Sequence, residues 1–464
     1  MPGRHRSRDP GTHVREPRAV RRVEASGRVY PGRAPGHCVR MTPGAALRIA
    51  LVSGHASPLA ALGTTDAGGQ NVYVACLASA LAARGHRVTV HTRRDDPRRD
   101  ARVVVRPGAT DEYQVVHVAA GPPAAIGKDS LFPYMDEFAA GLRRSFERDR
   151  PDVVHSHFWM SGYAAFAAAG AVHAPMVHTF HALGSVKRRH LGAADTSPPE
   201  RLGLEHQLLR HVDRVVATCS DEVAELRAMA GREQAPDLDP WARVAVVPCG
   251  YDPRVFRVNG QRLPRGDGPL LAAVGRLVPR KGYDVLLRAL AELPRAELVV
   301  AGGPPLDDLH ADPCLDELVT LADELGVRDR VRFVGGIAPT AVAAIDRTAD
   351  VFVAAPRYEP FGIAPVEAMA CGTPVVATAV GGMLDTVVDG GTGTLVPVDD
   401  HDAIARAVLD LVDHPNRLRS YGERAAWRTR RRHAWSVIAR AMEQIYDEVI
   451  TGAAAVAGRH GTGS

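Results

Sequence analysis

The chain has 464 residues, 45% hydrophobic and 24% charged, with six scattered cysteines and no CxxC pair. This balance excludes a disordered or collagen-like protein and predicts two or three domains. The cysteines argue against a disulfide framework or a thiolate zinc site and favour reduced thiols in a cytoplasm. The formal net charge of +4 divides into +7 for residues 1–46 and −3 for the rest, so the body of the chain offers no electrostatic footprint for a nucleic acid.

Residues 1–46 combine ten arginines with many prolines and glycines and lack the apolar stretch of a secretory signal. We predict a disordered basic tail there. Two alternatives stay open: a start codon at Met41, which precedes the first strand-like segment, and a basic arm that binds nucleic acid or anionic lipid. No run of about 18 apolar residues occurs anywhere, so no transmembrane segment is expected.

From Leu47 to residue 250, short β-rich runs alternate with helical ones, which predicts a parallel sheet covered on both faces. In the first helix one apolar face is predicted from Val72, Ala75, Cys76, Ala80 and Ala83. The predicted strands are 47–54, 87–92, 113–119, 152–157, 175–182, 214–219 and 243–250. The predicted helices lie near 70–84, 130–147, 160–170, 199–211 and 220–230.

Residues 251–268 are polar with Pro and Gly and are predicted to be a linker, after which the alternation restarts over 269–416. Residues 417–450 are predicted to be helical and to pack back on the first half, and 451–464 to be a disordered tail. Two such Rossmann-like domains would place a ligand between them, beyond the carboxyl ends of their strands. The predicted strands are 270–276, 296–303, 331–336, 350–356, 374–380 and 393–398, and the helices lie near 281–292, 315–325, 339–347, 365–371, 383–388 and 401–413.

A glycine-rich loop, residues 63–71, joins the first strand to its helix. Gly68 and Gly69 would let a ligand approach the backbone, and the helix N-terminus offers free N–H groups and a positive dipole end, which suits a phosphate. A tight turn without a ligand explains the glycines equally well. The loop is not GxGxxG, and no acidic residue follows at the ribose-binding spacing, so a dinucleotide fold is disfavoured.

Segment 274–282 ends the first strand of the second half and opens a helix. Arg276 and Lys281 would project into the cleft, where two cations at a helix N-terminus suit a diphosphate; a solvated loop is the alternative. The chain has only three lysines, Lys128, Lys187 and Lys281. All the other Lys or Arg positions are arginine. This bias suggests that the three lysines occupy sites that need a compact ammonium, although chance explains it equally well.

Two carboxylates follow the strand predicted at 350–356. Glu359 lies in the loop and Glu367 in the predicted first helical turn, where both could accept hydrogen bonds from sugar or ribose hydroxyls. A helix-dipole carboxylate and a surface charge are the alternatives.

His181 ends the strand predicted at 175–182, where it can face the cleft. His155 and His157 end the preceding strand and invite a metal interpretation. Alternating positions on one strand without a supporting carboxylate are a poor zinc set, so no metal site is expected.

Several of these segments together carry a resemblance that covers residues 47 to about 430. EPFGIAPVE (359–367) resembles the E-x7-E motif of retaining GT-B glycosyltransferases of family GT4, and VGRLVPRKG (274–282) resembles their diphosphate-binding segment. DAGGQNVYV (66–74) and HSHFWMSG (155–162) are similar to the inositol-phosphate N-acetylglucosaminyltransferases of mycothiol synthesis and to sucrose and sucrose-phosphate synthases. The resemblance implies an α/β GT-B fold, in which two Rossmann-like domains with parallel sheets face each other across a cleft.

The resemblance also implies roles for the donor-side residues. The amides of Gly68 and Gly69 would meet the donor phosphate, and Arg276 with Lys281 would hold the diphosphate. Glu367 would bind the ribose, and His181 would lie beside the donor sugar. Hydroxyls of that sugar would be held by Glu359 and the backbone of Phe361, Gly362 and Ile363.

On the acceptor side, Asn71, Lys128 and Arg201 match positions that bind a phosphorylated acceptor in the mycothiol enzymes. Phe158 and Ala182 depart from that pattern, since a Tyr and a Thr there help to bind the acceptor phosphate. Losing such hydrogen bonds would cost about 1–3 kcal/mol each. An inositol-phosphate acceptor is therefore in doubt, although Lys128 and Arg201 favour an anionic one.

The implied reaction is retaining transfer of glucose or N-acetylglucosamine from a nucleotide diphosphate sugar, with UDP favoured, to a small phosphorylated or polyol acceptor. Arg276 and Lys281 would stabilise charge on the leaving phosphate, so neither a cofactor nor a catalytic metal is expected. Alternatives on the same fold are a nucleotide-sugar epimerase or hydrolase, a phosphorylase with pyridoxal phosphate on Lys281 or Lys187, and a catalytically silent binding scaffold. A homodimer stays open.

Overall fold

The computed structural model describes residues 45–60, 68–230 and 243–460. The first half is an eight-stranded sheet in the order β3-β4-β2-β1-β5-β6-β7-β8, parallel except for β3 against β4. Its strands are β1 (Arg48–Val52), β2 (Arg87–Arg93), β3 (Arg102–Val105), β4 (Tyr113–Val118), β5 (Val153–His157), β6 (Met176–Thr179), β7 (Arg214–Ala217) and β8 (Val244–Val246). Its helices are α1 (Gly69–Ala82), α2 (Met135–Asp149), α3 (Trp159–Val172), α4 (Gly184–Leu191), α5 (Arg201–His211) and α6 (Ser220–Ala230).

The second half is a six-stranded, fully parallel sheet in the order β11-β10-β9-β12-β13-β14. Its strands are β9 (Leu270–Val274), β10 (Glu297–Ala301), β11 (Val331–Phe333), β12 (Val351–Ala354), β13 (Val375–Thr378) and β14 (Gly393–Val396). The helices that follow or connect them are α7 (Tyr283–Ala291), α8 (Pro313–Glu324), α9 (Pro339–Thr348), α10 (Ile363–Ala370), α11 (Met383–Thr386), α12 (His401–Val412), α13 (Pro415–Arg432) and α14 (Trp435–His460). The α/β class with two parallel sheets is confirmed.

Two elements of the first half escaped the sequence analysis. Strand β3 is a four-residue antiparallel edge strand with alternating exposure, and the sequence analysis overlooked it although three of its four residues are valines. Helix α4 buries only Gly184, and half of its eight residues are basic, so it has no apolar stripe to recognise.

The predicted apolar face of α1 was wrong. Val72, Ala75, Cys76 and Ala80 are only partly buried and Ala83 is exposed, whereas the fully buried side chains include Tyr73 and Leu77. Helix α1 lies between the first sheet and α14, so it is covered on two sides and a single stripe does not describe its burial.

The C-terminal helices connect the two halves. Helix α13 packs on α10 and α12, and α14 then returns to the first half and packs along α1. The prediction of a disordered tail from 451 was wrong up to residue 460, because α14 continues through an alanine-rich segment with high helix propensity. Residues 461–464 and the basic tail up to residue 44, with Met41, lie outside the described residues.

The chain passes between the halves twice, and the two passages meet. Within residues 251–268 the only regular pairing is an isolated bridge between Tyr251 and Ala434, beside the junction of α13 and α14. Tyr251 donates its N–H to the carbonyl of His433 (2.8 Å), and its own carbonyl accepts from the N–H of Trp435 (3.3 Å). In the described ranges every helix is too short or too polar to cross a bilayer.

Candidate active site

The described end of the glycine-rich loop, Gly68 to Asn71, is held by the side chain of Asn71, and residues 63–67 of that loop lie outside the described residues. Gly68 is the N-cap of α1, and its N–H donates to Oδ1 of Asn71 (3.0 Å). The Nδ2 group of buried Asn71 donates to the carbonyl of Ser57 (2.9 Å). Asn71, predicted to bind the acceptor, therefore has both polar side-chain atoms bonded to backbone groups of the chain that precedes α1, while Gly69 occupies the first position of α1.

Residues of the second half lie directly against this loop. A Cβ atom on Gly68 would lie 3.8 Å from Nε of Arg276, and one on Gly69 would lie 3.5 Å from Cδ1 of Ile363. The structure thus brings together four residues that the sequence analysis placed on the donor side, two from each half. The guanidinium and the N-terminus of α1 are both positive, and two positive groups that face each other suit an anion bound between them.

In the second half, two cationic side chains pair with the buried carboxylate of Glu359. Its Oε2 atom accepts hydrogen bonds from Nζ of Lys281 (2.5 Å) and from Nη1 of Arg280 (3.3 Å), and the residue is only 8% exposed. Burial alone would raise the pKa of Glu359, but the charges and hydrogen bonds of Lys281 and Arg280 lower it to about 2. Burial lowers the pKa of Lys281, and the charge of Glu359 opposes that shift.

The predicted pair of cations therefore separates in the structure. Arg276 lies against Gly68, whereas Lys281 pairs with Glu359. The sequence analysis missed Arg280, although its position directly before Lys281 was a signal. A 3-10 turn over Pro279–Lys281 directs both neighbouring cations to the same carboxylate.

The backbone after Glu359 makes a tight turn into α10. Phe361 is buried, and Gly362 has φ +84°, a left-handed conformation that an L side chain rarely adopts. Ile363 begins α10, so Glu367 lies in the second helical turn. The prediction that it lies in the first turn was wrong. Burial, followed by the nearby charge of Asp346, raises the pKa of Glu367 well above its usual range.

His181 follows β6 with φ +61° and hydrogen bonds through Nε2 to Nδ1 of His157 (3.0 Å). Burial, with the nearby His178 and His55, lowers the pKa of His181 to about 3, so the ring is neutral. The ring of His155 bonds instead to Tyr446 and Thr179. Over the described ranges no three His, Cys, Asp or Glu side chains are grouped to hold a metal ion.

Two of the three predicted acceptor residues, Lys128 and Arg201, belong to one cluster beyond the strands of the first sheet, whereas Asn71 does not. Lys128 pairs with Asp129 (3.2 Å), and Asp129 also pairs with Lys187 (3.2 Å). The hydroxyl of Ser197 accepts from both Lys187 (3.0 Å) and Arg201 (3.2 Å). Lys187, one of only three lysines in the chain, belongs to this cluster and was not among the predicted acceptor residues.

Arg201 itself is almost fully buried. Its Nε donates to Glu205 (2.8 Å), and its Nη2 donates to the carbonyl of Ala182 (2.8 Å). The guanidinium lies over the ring of Phe158, 5.0 Å from the centroid. The two positions that depart from the mycothiol pattern, Phe158 and Ala182, thus both contact Arg201, one through a ring and one through a backbone oxygen.

A cavity of about 240 Å³ lies between the halves and is lined by His181, Tyr358 and Glu359, among others. At its edge the ring of Tyr358 stacks on His190 of α4 at 5.1 Å and 14°. Nearby, Asp385 of α11 accepts from the N–H (2.5 Å) and the hydroxyl (2.7 Å) of Ser220, which begins α6. These contacts join the two halves across the cleft.

Comparison with known proteins identifies the family. Residues 67–255 match Glycosyltransferase Family 4, and residues 258–428 match Glycosyl transferases group 1. The chain is 39% identical over 421 residues to D-inositol 3-phosphate glycosyltransferase 2 of Catenulispora acidiphila, covering 87% of this chain and 95% of that relative. The chain belongs to the group 1 glycosyltransferases. This glycosyltransferase is also 42% identical over 382 residues to D-inositol 3-phosphate glycosyltransferase of Mycobacterium tuberculosis, covering 80% and 76% of the two chains.

Solved structures agree with this assignment. Sucrose-phosphate synthase of Thermosynechococcus elongatus has a TM-score of 0.77 to this glycosyltransferase at 31% identity, covering 87% of this chain and 99% of that one. An Anabaena protein solved with UDP-glucose has a TM-score of 0.63 at 18% identity, covering 88% and 100%, and shows a likeness of fold. The predicted GT-B fold and the resemblance to family GT4 are confirmed.

Proposed function

We propose that this glycosyltransferase moves a glucose or N-acetylglucosamine unit, with retention of configuration, from a UDP-sugar to a small phosphorylated or polyol acceptor. The observation that carries the proposal is the ionised Glu359, held by Lys281 and Arg280 in the half whose Arg276 and Ile363 lie against Gly68 and Gly69 of the other half. An ionised carboxylate that is buried beside a cavity can accept hydrogen bonds from sugar hydroxyls without first losing a proton.

The leaving group requires positive charge, and two sources of it converge. Arg276 lies against Gly68, and the N-terminus of α1 begins at the next residue. The guanidinium and the helix dipole would both stabilise negative charge that grows on the diphosphate as the bond to the sugar breaks. The solved complex of the Anabaena protein with UDP-glucose supports a UDP-sugar as the donor.

In the proposed step the bond from the sugar anomeric carbon to the diphosphate oxygen breaks, and an acceptor hydroxyl oxygen forms the new bond on the same face. The acceptor proton passes to the departing phosphate oxygen, so no protein nucleophile is required. Glu359 and the backbone from Phe361 to Ile363 would hold the sugar, and Glu367 would bind the ribose hydroxyls. Closure of the halves would exclude water that hydrolyses the donor.

The acceptor is proposed from the cluster of Lys128, Lys187 and Arg201. Lys187 shares Asp129 with Lys128 and Ser197 with Arg201, so the three cations lie close together, which suits a small anionic or polyol molecule. The two relatives named as D-inositol 3-phosphate glycosyltransferases support an inositol phosphate. Phe158 and Ala182 offer no side-chain hydroxyl to such a phosphate, which favours testing sugar phosphates and free polyols beside it.

The test is release of nucleoside diphosphate from UDP-, GDP- and ADP-sugars, with and without inositol phosphate, sugar phosphates and free polyols. We expect release from a UDP-sugar that rises strongly with one acceptor and yields a product with the anomeric configuration of the donor. Release without any acceptor would instead indicate an epimerase or hydrolase. Binding without release would indicate a silent scaffold, and neither binding nor release would contradict the proposed donor site.

Lys281→Ala provides the matching variant. It removes the ammonium that contacts Glu359, and we expect nucleotide release to fall by at least about 10²-fold, as when one preorganised charge-stabilising donor is lost. Circular dichroism would verify that the variant is folded. Wild-type turnover by the folded variant would contradict the role assigned to Lys281.

A further inference from the structure

A second histidine lies behind His181 and determines what that residue can offer to the cleft. His157 ends β5 and is fully buried, and the parallel register of β5 and β6 pairs it with Thr179, two residues before His181. Its Nδ1 atom lies 3.0 Å from Nε2 of His181. Since two ring nitrogens share this bond, one of them donates and the other accepts.

The surroundings of His157 decide the direction of this hydrogen bond. Its other ring nitrogen, Nε2, is buried and has no hydrogen-bond partner among the described residues. If His181 donated, a neutral His157 would carry its proton on Nε2, as a buried N–H without an acceptor. A buried N–H without a partner is rarer in proteins than an under-satisfied acceptor, so His157 is the better donor.

Both rings are neutral, so one proton occupies the bond between them. Burial lowers the pKa of His157 well below its usual range, and the neighbouring His155 and His181 add to that shift. Burial likewise lowers the pKa of His181 to about 3. The ring of His157 is held between Tyr73, at 5.6 Å, and His155, at 4.2 Å between centroids.

We infer that His157 is a positioning residue: its Nδ1–H donates to Nε2 of His181, which places the proton of His181 on Nδ1. Nδ1 is the ring nitrogen of His181 that has no partner within the described parts of the chain, and His181 lines the cavity between the halves. His181 therefore presents a hydrogen-bond donor to an oxygen of the substrate. This last step rests on the proposed function, whereas the proton position does not.

The experiment compares His157→Asn with His157→Leu. The two new side chains are similar in size and leave similar gaps, but only Asn keeps an N–H close to the position of Nδ1. ¹⁵N NMR of the histidine rings would first locate the proton of His181 in the wild-type protein. We expect it on Nδ1 in the wild type and in H157N, and a mixture of both forms in H157L.

Kinetics then separate positioning from packing. We expect H157L to lose about 10²-fold in kcat at an unchanged donor KM, and H157N to exceed H157L by at least about tenfold. Equal kcat for the two variants, or a wild-type proton on Nε2, would overturn the inference. If the wild-type protein releases no nucleotide from any donor, the proposed function fails, but the NMR result still decides the proton position.

Discussion

Replacing Glu359 by Gln tests whether Lys281 and Arg280 hold this carboxylate ionised. The substitution removes the negative charge and keeps the size of the side chain. The pKa of Glu359 falls from its ordinary 4.5 to about 2 in the folded chain. At about 1.4 kcal/mol per pKa unit, the ionised form contributes about 3 kcal/mol to the free energy of unfolding.

The sign of the pH dependence follows from the lowered pKa. A lowered folded-state pKa stabilises the protein fully above pH 4.5, and that contribution is lost as the pH falls towards about 2. Glu359→Gln should therefore reduce the free energy of unfolding by about 3 kcal/mol at pH 7, and the difference should shrink towards zero near pH 2. Other carboxyl groups titrate in both proteins, so their contributions cancel in the difference.

Urea denaturation of both proteins at a series of pH values from 2.5 to 7 measures this difference. Glu147→Gln is the matched control, because Glu147 is exposed and forms a surface ion pair with Arg143 one helical turn away (2.8 Å). That variant should change stability by less than about 0.5 kcal/mol. A Glu359→Gln difference that is the same at pH 3 and at pH 7 would refute the electrostatic argument.

Three further variants probe the same region. Glu367→Gln should raise the melting temperature at pH 7, because a raised folded-state pKa means that the carboxyl group destabilises the fold where the unfolded chain ionises. Below pH 4.5 the variant should not differ from the wild type, and thermal unfolding at pH 7 and at pH 4 checks this. Gly381→Ala should lower the melting temperature by several degrees, because φ is +49° and a Cβ would lie 1.9 Å from the carbonyl oxygen of Glu359. Asp385→Ala should increase the radius of gyration in small-angle scattering, since Ser220 loses its partner across the cleft; an unchanged radius would show that this contact does not hold the halves together.

Much of the fold was predictable because buried parallel strands are short apolar runs. All strands of the second half were predicted within three residues at each end. Two elements were missed: β3, an exposed edge strand, although three of its four residues are valines, and α4, half of whose eight residues are basic. The face of α1 was predicted wrongly because its burial depends on α14, which lies more than 350 residues later in the chain.

For the site, the sequence indicated which residues cluster but not how they pair. The carboxyl ends of β9 and β12 are adjacent, so Glu359 and the segment 274–282 were expected to meet. Which of three neighbouring cations reaches the carboxylate depends on the 3-10 turn before α7, which spacing alone does not define. The contact of His157 with His181 required knowing that β5 and β6 are neighbours in register.

The return of α14 to the first half has a consequence for how the protein is made. Its inward side chains include Ile438, Met442 and Tyr446, and they cover α1, which the ribosome completes long before α14 exists. Until the last stretch of chain is synthesised, one face of the first half lacks its cover and remains apolar and unprotected. The second half, in contrast, has all of its strands available by residue 396. The half that is synthesised first therefore completes its apolar packing only when the end of α14 has been made.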